Sequence, residues 1–279
     1  MAYKSILVHV DASRPAPARL DVAIELSRAL DAHLAGLAIL PELAQPATIE
    51  VQYGPELRAA QARAAREMLD PLRAAFEQRT RAAGFATAEW REATGDPVAT
   101  AALHARYADL VVLGQVDPED DRTRVAPGFV DGFLLAAGRP VLLVPYAGAI
   151  ERLGRRVLVA WNASREATRA VTDALPLLER AEKVTVLSID PEPSAGGHGE
   201  VPGADLALYL ARHGVEAEAQ RTGSDGVDVG NTLLSRAADL SADLIVMGAW
   251  GRSRMRELVM GGATRTVLSD MTVPVLMSH

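Results

Sequence analysis

The 279 residues exceed the commonest single domain and suit two of about 140, each long enough to bury a core. With 49% hydrophobic, 23% charged and 4% aromatic residues, the composition is globular and favours helices packed on aliphatic strands. The absence of cysteine excludes disulfides, thiol catalysis and cysteine-ligated metal, and a net charge of −7 argues against nonspecific contact with nucleic acid or acidic membranes.

The opening MAYKSILVHVD does not read as a signal peptide, because its apolar run ends in Asp11. No apolar stretch approaches the roughly 18 residues of a membrane span, so a cytoplasmic protein is the expectation. Ser5–Asp11 (SILVHVD) reads as a strand and is followed by Ala12-Ser13-Arg14. A long Ala/Arg/Glu-rich helical run lies between Pro55 and Ala83, and the apolar runs Ala108–Gly114 (ADLVVLG) and Arg139–Pro145 (RPVLLVP) come later. These segments recur in the same order. Arg156–Asn162 (RVLVAWN) is followed by Ala163-Ser164-Arg165, then come Ala242–Gly248 (ADLIVMG) and Val273–His279 (VPVLMSH). The chain is a tandem repeat. The second copy is shorter, because Gly203–His213 stands where the first copy has its long helical run, and Asp190–Gly203 reads as a loop. The boundary falls near Ala147–Leu153, which gives domains over residues 1–149 and 150–279.

In the second copy, strands are expected at Val157–Ala160, Val184–Ile189, Val215–Gln220, Leu244–Met247 and Val273–Met277. Helices are expected at about Ser164–Arg180, Asp205–Arg212, Val229–Leu240 and Ala263–Ser269. Ser164 suits an N-cap, and Ala167, Val171, Ala174 and Leu178 are spaced for a buried stripe. Strands that are apolar throughout are buried on both faces, which indicates a parallel sheet covered by helices. The fold class is therefore α/β, with two tandem doubly wound five-stranded parallel-sheet domains. Such sheets bind ligands beyond the carboxyl ends of the strands, where strand order reverses.

The loop after Met247 is the most unusual segment. Gly248-x2-Gly251-x9-Gly261-Gly262 runs from a buried strand into a helix that opens with Ala263 and Thr264. Glycines let bare N–H groups approach an anion, and a helix N-terminus adds donors and a favourable dipole. Thr264 can donate a hydroxyl, and Arg252, Arg254 and Arg256 can supply cationic charge. The plain alternative is a strand-to-helix connection with Gly at turns; the number and spacing of the glycines favour a phosphate loop.

The segment MGAWGRSRMRELVMGGATRTVLSDMTVPVLM resembles the C-terminal signature of the universal stress protein family, in its tandem two-domain form. The resemblance implies the adenine nucleotide alpha hydrolase-like fold and binding of ATP, with or without Mg2+. It places Gly248, Gly251 and Gly261 at ribose and phosphates. Gly262 occupies the family's Ser/Thr position, so a hydroxyl is replaced by a backbone donor alone, and Thr264 falls where a second hydroxyl is often found. Asn162 stands at the family's acidic position facing adenine, where it can both donate and accept. Trp161 packs either near the base or in the core, and main-chain groups at Leu187–Ile189 correspond to the family's adenine edge. The candidate nucleotide site thus comprises Ala160, Trp161, Asn162, Met247, Gly248, Gly251, Arg252, Gly261, Gly262, Ala263 and Thr264.

The first copy keeps a family-like acid, Asp11, but Gly114 is followed by Gln115-Val-Asp-Pro-Glu-Asp-Asp and no glycine pattern. Asp117, Glu119, Asp120 and Asp121 repel phosphate unless a metal intervenes, and a solvated acidic loop is the reading preferred over a metal site. His9 reads as a core histidine, and Ser13 and Ser164 read as helix caps rather than nucleophiles. Arg14 and Arg165 support the switch point or lie on the surface. No HExxH, Gly-x-Ser-x-Gly or Walker lysine motif is present.

The expectation is a stress-response sensor or signalling module with one nucleotide site, in the second domain, and no catalytic residues. A nucleotide-free interaction scaffold is the alternative, as is a slow ATP hydrolase or autophosphorylating protein with Ser253, Thr264 or Thr266 as acceptor. Single-domain members of the family pair through their last strands, so the resemblance implies that Val141–Val144 and Val275–Met277 pair antiparallel within the chain as a pseudo-dimer, with a further homodimer left open.

Overall fold

The computed structural model describes residues 2–41, 47–85, 87–120, 128–191, 202–250 and 262–279. In the first half the elements are β1 (Ser5–His9), α1 (Ala16–Leu30), β2 (His33–Leu40), α2 (Ala47–Ala82), β3 (Glu89–Thr94), α3 (Pro97–Ala105), β4 (Leu110–Gly114), α4 (Phe129–Ala136) and β5 (Val141–Val144). The second half follows with β6 (Arg156–Ala160), α5 (Arg165–Leu178), β7 (Lys183–Ile189), α6 (Ala204–Arg212), β8 (Ala217–Thr222), α7 (Val229–Asp239), β9 (Leu244–Gly248), α8 (Ala263–Asp270) and β10 (Val275–Ser278). The repeat is therefore visible element by element.

The strands form one ten-stranded sheet in the order β3-β2-β1-β4-β5-β10-β9-β6-β7-β8. Within each half neighbours are parallel and the order reverses beside the first strand, between β1 and β4 and between β6 and β9. The halves meet at β5 and β10, which pair antiparallel with Leu276 opposite Leu142. The expected intramolecular pairing of the two last strands is thus present. It removes the edge that each isolated half would expose.

Alternate residues on the central strands point to opposite faces. Ile6, Val8, Leu110 and Val112 enter a core shared with α1 and α5, while Leu7, Val111, Leu143 and Ile245 enter one shared with α3, α4 and α7. Both cores run through both halves, so a helical layer covers each side of one continuous sheet. Gly36 permits close contact in the first layer, because a Cβ there would lie 2.6 Å from the Phe76 ring.

The expectation of strands that are apolar throughout fails at the two ends of the sheet. β3 is EWREAT and β8 is AEAQRT, and none of their residues is fully buried. Each has a neighbour on one side only, and charged side chains there discourage pairing with another chain. β8 also begins at Ala217 rather than Val215, which is buried in the turn that precedes it.

Candidate functional site

In the second half the reversal of strand order brings the carboxyl ends of β6 and β9 side by side. β9 ends at Gly248, which no other residue can replace without a clash. A Cβ there would sit 2.5 Å from the Ala167 nitrogen and 2.8 Å from the Glu166 Cβ, so the first turn of α5 rests on this backbone. Ser164 sets that turn by accepting a hydrogen bond from the Ala167 N–H at 3.1 Å. Two residues beyond Gly248, Trp250 adopts φ 48°, a left-handed conformation that is strained for a bulky side chain. Its N–H donates to the Thr264 hydroxyl at 3.2 Å, and Thr264 is only 3% exposed. The residue after β9 and the first turn of α8 are therefore clamped together. α8 begins after Gly262, a residue with no side chain to cap it.

The remaining predicted residues divide by environment. Ala160 ends β6 half-buried. Trp161 donates its N–H to the Leu187 carbonyl at 2.8 Å and packs its ring, partly buried, against the core beneath α5 and α6. Asn162 is exposed and its Oδ1 accepts from the Ser164 N–H at 3.1 Å, which closes a turn with Ala163 at φ 55°. Met247 is a core residue, 6% exposed. Gly262 and Ala263 are half-buried at the start of α8. Gly251, Arg252 and Gly261 lie outside the described residues, as do Ser253, Arg254 and Arg256.

Sequence reasoning missed two features of this edge. The loops after β6, β7, β8 and β9 each hold a non-glycine residue at positive φ, namely Ala163, Asp190, Asp225 and Trp250. Among the described residues of the first half only Asp31 does so, at the end of a helix on the opposite edge. Such strain persists where the surrounding structure over-determines it, often at ligand sites. Glu166 is the second. It is 8% exposed in the first turn of α5 and pairs with Arg165 at 3.1 Å. Burial pushes its pKa up, but its own backbone, Arg165 and Ser164 outweigh this and hold it below the ordinary value. An acid just inside a capped helix start was the signal available for it.

The first half fills the equivalent crevice with its own side chains. Arg19, 3% exposed, donates to Asp11 Oδ1 at 2.9 Å, and its guanidinium lies on Gly114, where a Cβ would collide with Nη1. Burial pushes the Asp11 carboxyl up, yet Arg19, His9 and the Ser13 hydroxyl together hold it far below the usual carboxylate range. Ser13 therefore does not cap α1 with its side chain: its hydroxyl donates to Asp11, and α1 starts behind Pro15 without a side-chain cap. The acidic loop is likewise not a solvated patch. Asp117 and Asp120 are 4% and 9% exposed. Arg14 donates from Nε to Asp117 at 3.2 Å and from its backbone N–H to Asp120. Two of the acids turned inward because a buried carboxylate is tolerable once a guanidinium and backbone donors meet it. Glu119 remains exposed, and Asp121 lies outside the described residues. No cluster of His, Asp and Glu able to hold a metal occurs among the described residues.

Two parallel, doubly wound α/β units joined through their last strands, each with its loops gathered where strand order reverses, define a tandem α/β protein of the type that presents sites at that edge. The profile of the universal stress protein family matches residues 2–145 and again residues 154–279. The chain belongs to the universal stress protein family, in tandem form. A universal stress protein from Archaeoglobus fulgidus DSM 4304 superposes with a TM-score of 0.70 at 16% identity, covering 98% of this chain and 95% of that one. A protein described as functionally unknown from Pseudomonas aeruginosa PAO1 superposes at 0.59 and 16% identity, covering 99% and 92%. At these identities the likeness is one of fold. No curated protein matches the chain. Among the described residues no helix is long and apolar enough to cross a membrane.

Proposed function

We propose that the second domain binds an adenine nucleotide, ATP with or without Mg2+, and that the chain acts in the cytoplasm as a sensor or signalling module rather than a catalyst. The observation that carries this reading is the clamp from Trp250 to Thr264, which gathers the two ends of the glycine-rich segment at the uncapped start of α8. The N-terminal end of that helix, with its dipole, favours a phosphate. The exposed Asn162 and the half-buried Trp161 stand at the end of the neighbouring strand, within the same crevice. In the first domain the same place is taken by Arg19 and by the Arg14 pairs with Asp117 and Asp120, which supports one site per chain rather than two.

The scaffold reading draws on the same self-filled first domain and on Gly262, which offers phosphate no hydroxyl. Titration with ATP separates the two. A saturable rise in melting temperature is expected, equivalent to about 2.7 kcal/mol when ATP reaches 100 times its Kd, together with adenine nucleotide carried through purification. No shift up to millimolar ATP overturns the sensor reading in favour of the scaffold.

A further inference from the structure

Gln115, the first residue after β4, is 6% exposed and reaches across the junction between the halves. Its Nε2 donates to the carbonyls of Ser269 at 2.7 Å and Leu268 at 3.2 Å, in the last turn of α8. Its Oε1 accepts from the Tyr146 N–H at 3.1 Å, just beyond β5, and its own N–H donates to Val144 at 2.8 Å. Both donors and the acceptor of the amide are thus engaged, and the side chain is held between the end of β5 in its own half and α8 in the other.

α8 needs this support. It spans only eight residues, carries no basic side chain in its last turn, and ends in Asp270, the wrong charge for a helix C-terminus. A helix of two turns behaves as a short rigid rod, so whatever fixes its last carbonyls also fixes its first N–H groups about 12 Å away. The reverse tie runs from a different place: Arg169 of α5 donates to the Gly138 carbonyl just beyond α4 at 2.7 Å. Ala249 occupies the position equivalent to Gln115 and has no side-chain donor to offer the first half. We propose that Gln115 is a positioning residue through which the first domain sets the orientation of α8, and so the affinity of the second domain for nucleotide phosphate. This rests on the nucleotide reading above, and it gives the self-filled domain a role: it is the fixed support of its partner's site.

The test is ATP titration of the full chain as wild type, Gln115→Met and Gln115→Glu. The methionine keeps the volume and loses every hydrogen bond, whereas the glutamate keeps the acceptor for Tyr146 and loses both donors to α8. Both are expected to raise the Kd for ATP about five- to tenfold, beyond any effect on the melting temperature of the nucleotide-free protein. A lower melting temperature with an unchanged Kd would assign Gln115 a purely structural role and overturn the proposal. Amide exchange on the wild type serves as a check that needs no variant. ATP is expected to slow exchange at Tyr146, since coupling between sites is reciprocal, and an unchanged rate overturns the proposal too. If the wild type binds no ATP, the nucleotide reading fails and takes this one with it. If the wild type binds and the variants bind equally well, only this one fails.

Discussion

His9 shows how a single buried group ties the first domain to pH. Burial pushes its pKa down to about 4, the Asp11 charge opposes this and Arg19 adds to it, while the ring packs 5.3 Å from Phe129. The folded value lies below that of the unfolded chain, so between about pH 6.5 and 4 the unfolded state holds a proton that the folded state lacks. Stability is then lost as pH falls through that window, by about 1.4 kcal/mol per unit. Denaturant unfolding of the wild type and of His9→Phe over pH 4 to 7 checks this, and the variant is expected to lose that part of the slope. The inward position of His9 was legible from its place in an apolar strand. The partnership of Asp11 with Arg19 was not, because Arg19 reads as an ordinary helix residue until the fold lays its guanidinium over Gly114. For the same reason the acids after Gly114 looked solvated: sequence shows charge, but not which guanidinium turns to meet it.

At the scale of elements, the two halves solve one packing problem with the small residue on opposite helices. Gly230 of α7 lies where a Cβ would come within 2.6 Å of the Thr266 Cβ and 2.9 Å of the Ala263 carbonyl. In the first half Val98 of α3 occupies the equivalent place and Gly132 of α4 yields instead, since a Cβ on Gly132 would lie 3.1 Å from the Val98 side chain. Gly230→Ala is therefore expected to push α7 from the start of α8 and to cost about 1–3 kcal/mol, with weakened ATP binding. Adding Thr266→Gly relieves the contact with the Thr266 Cβ but not the one with the Ala263 carbonyl, so only partial recovery of stability is expected. Equilibrium unfolding and ATP titration of the single and double variants measure both effects, and an additive double variant would show that the two positions do not meet. Helix boundaries were largely legible, since caps and apolar spacing are local. Ser164 caps α5 as read, and α6 and α7 fall within a residue or so of their expected limits. The polar edge strands were the least legible elements, because their pattern depends on lying at the ends of the sheet.

Across the whole molecule, the antiparallel join of β5 and β10 makes one sheet of two domains. Leu142 and Leu276 face each other fully buried at its centre. Further ties cross the same junction: the Tyr3 hydroxyl donates to the Asp173 carbonyl, and Arg169 donates to the Gly138 carbonyl at 2.7 Å. Leu276→Arg places an unpaired charge in this core and should uncouple the halves. Calorimetry is expected to show one unfolding transition for the wild type and two for the variant; a single transition in both would show that the join does not govern cooperativity. The repeat, the parallel α/β class and the glycine-rich segment are legible in the residues alone, because these are written in local composition, spacing and order along the chain, whereas the pairing of the two last strands followed from the family resemblance. Tertiary contacts alone laid Arg19 over Gly114 in the first crevice, set residues at positive φ along the second edge, and joined Gln115 to the last turn of α8. Those outcomes depend on side chains far apart in sequence meeting at short range, where a buried charge or amide must find a partner.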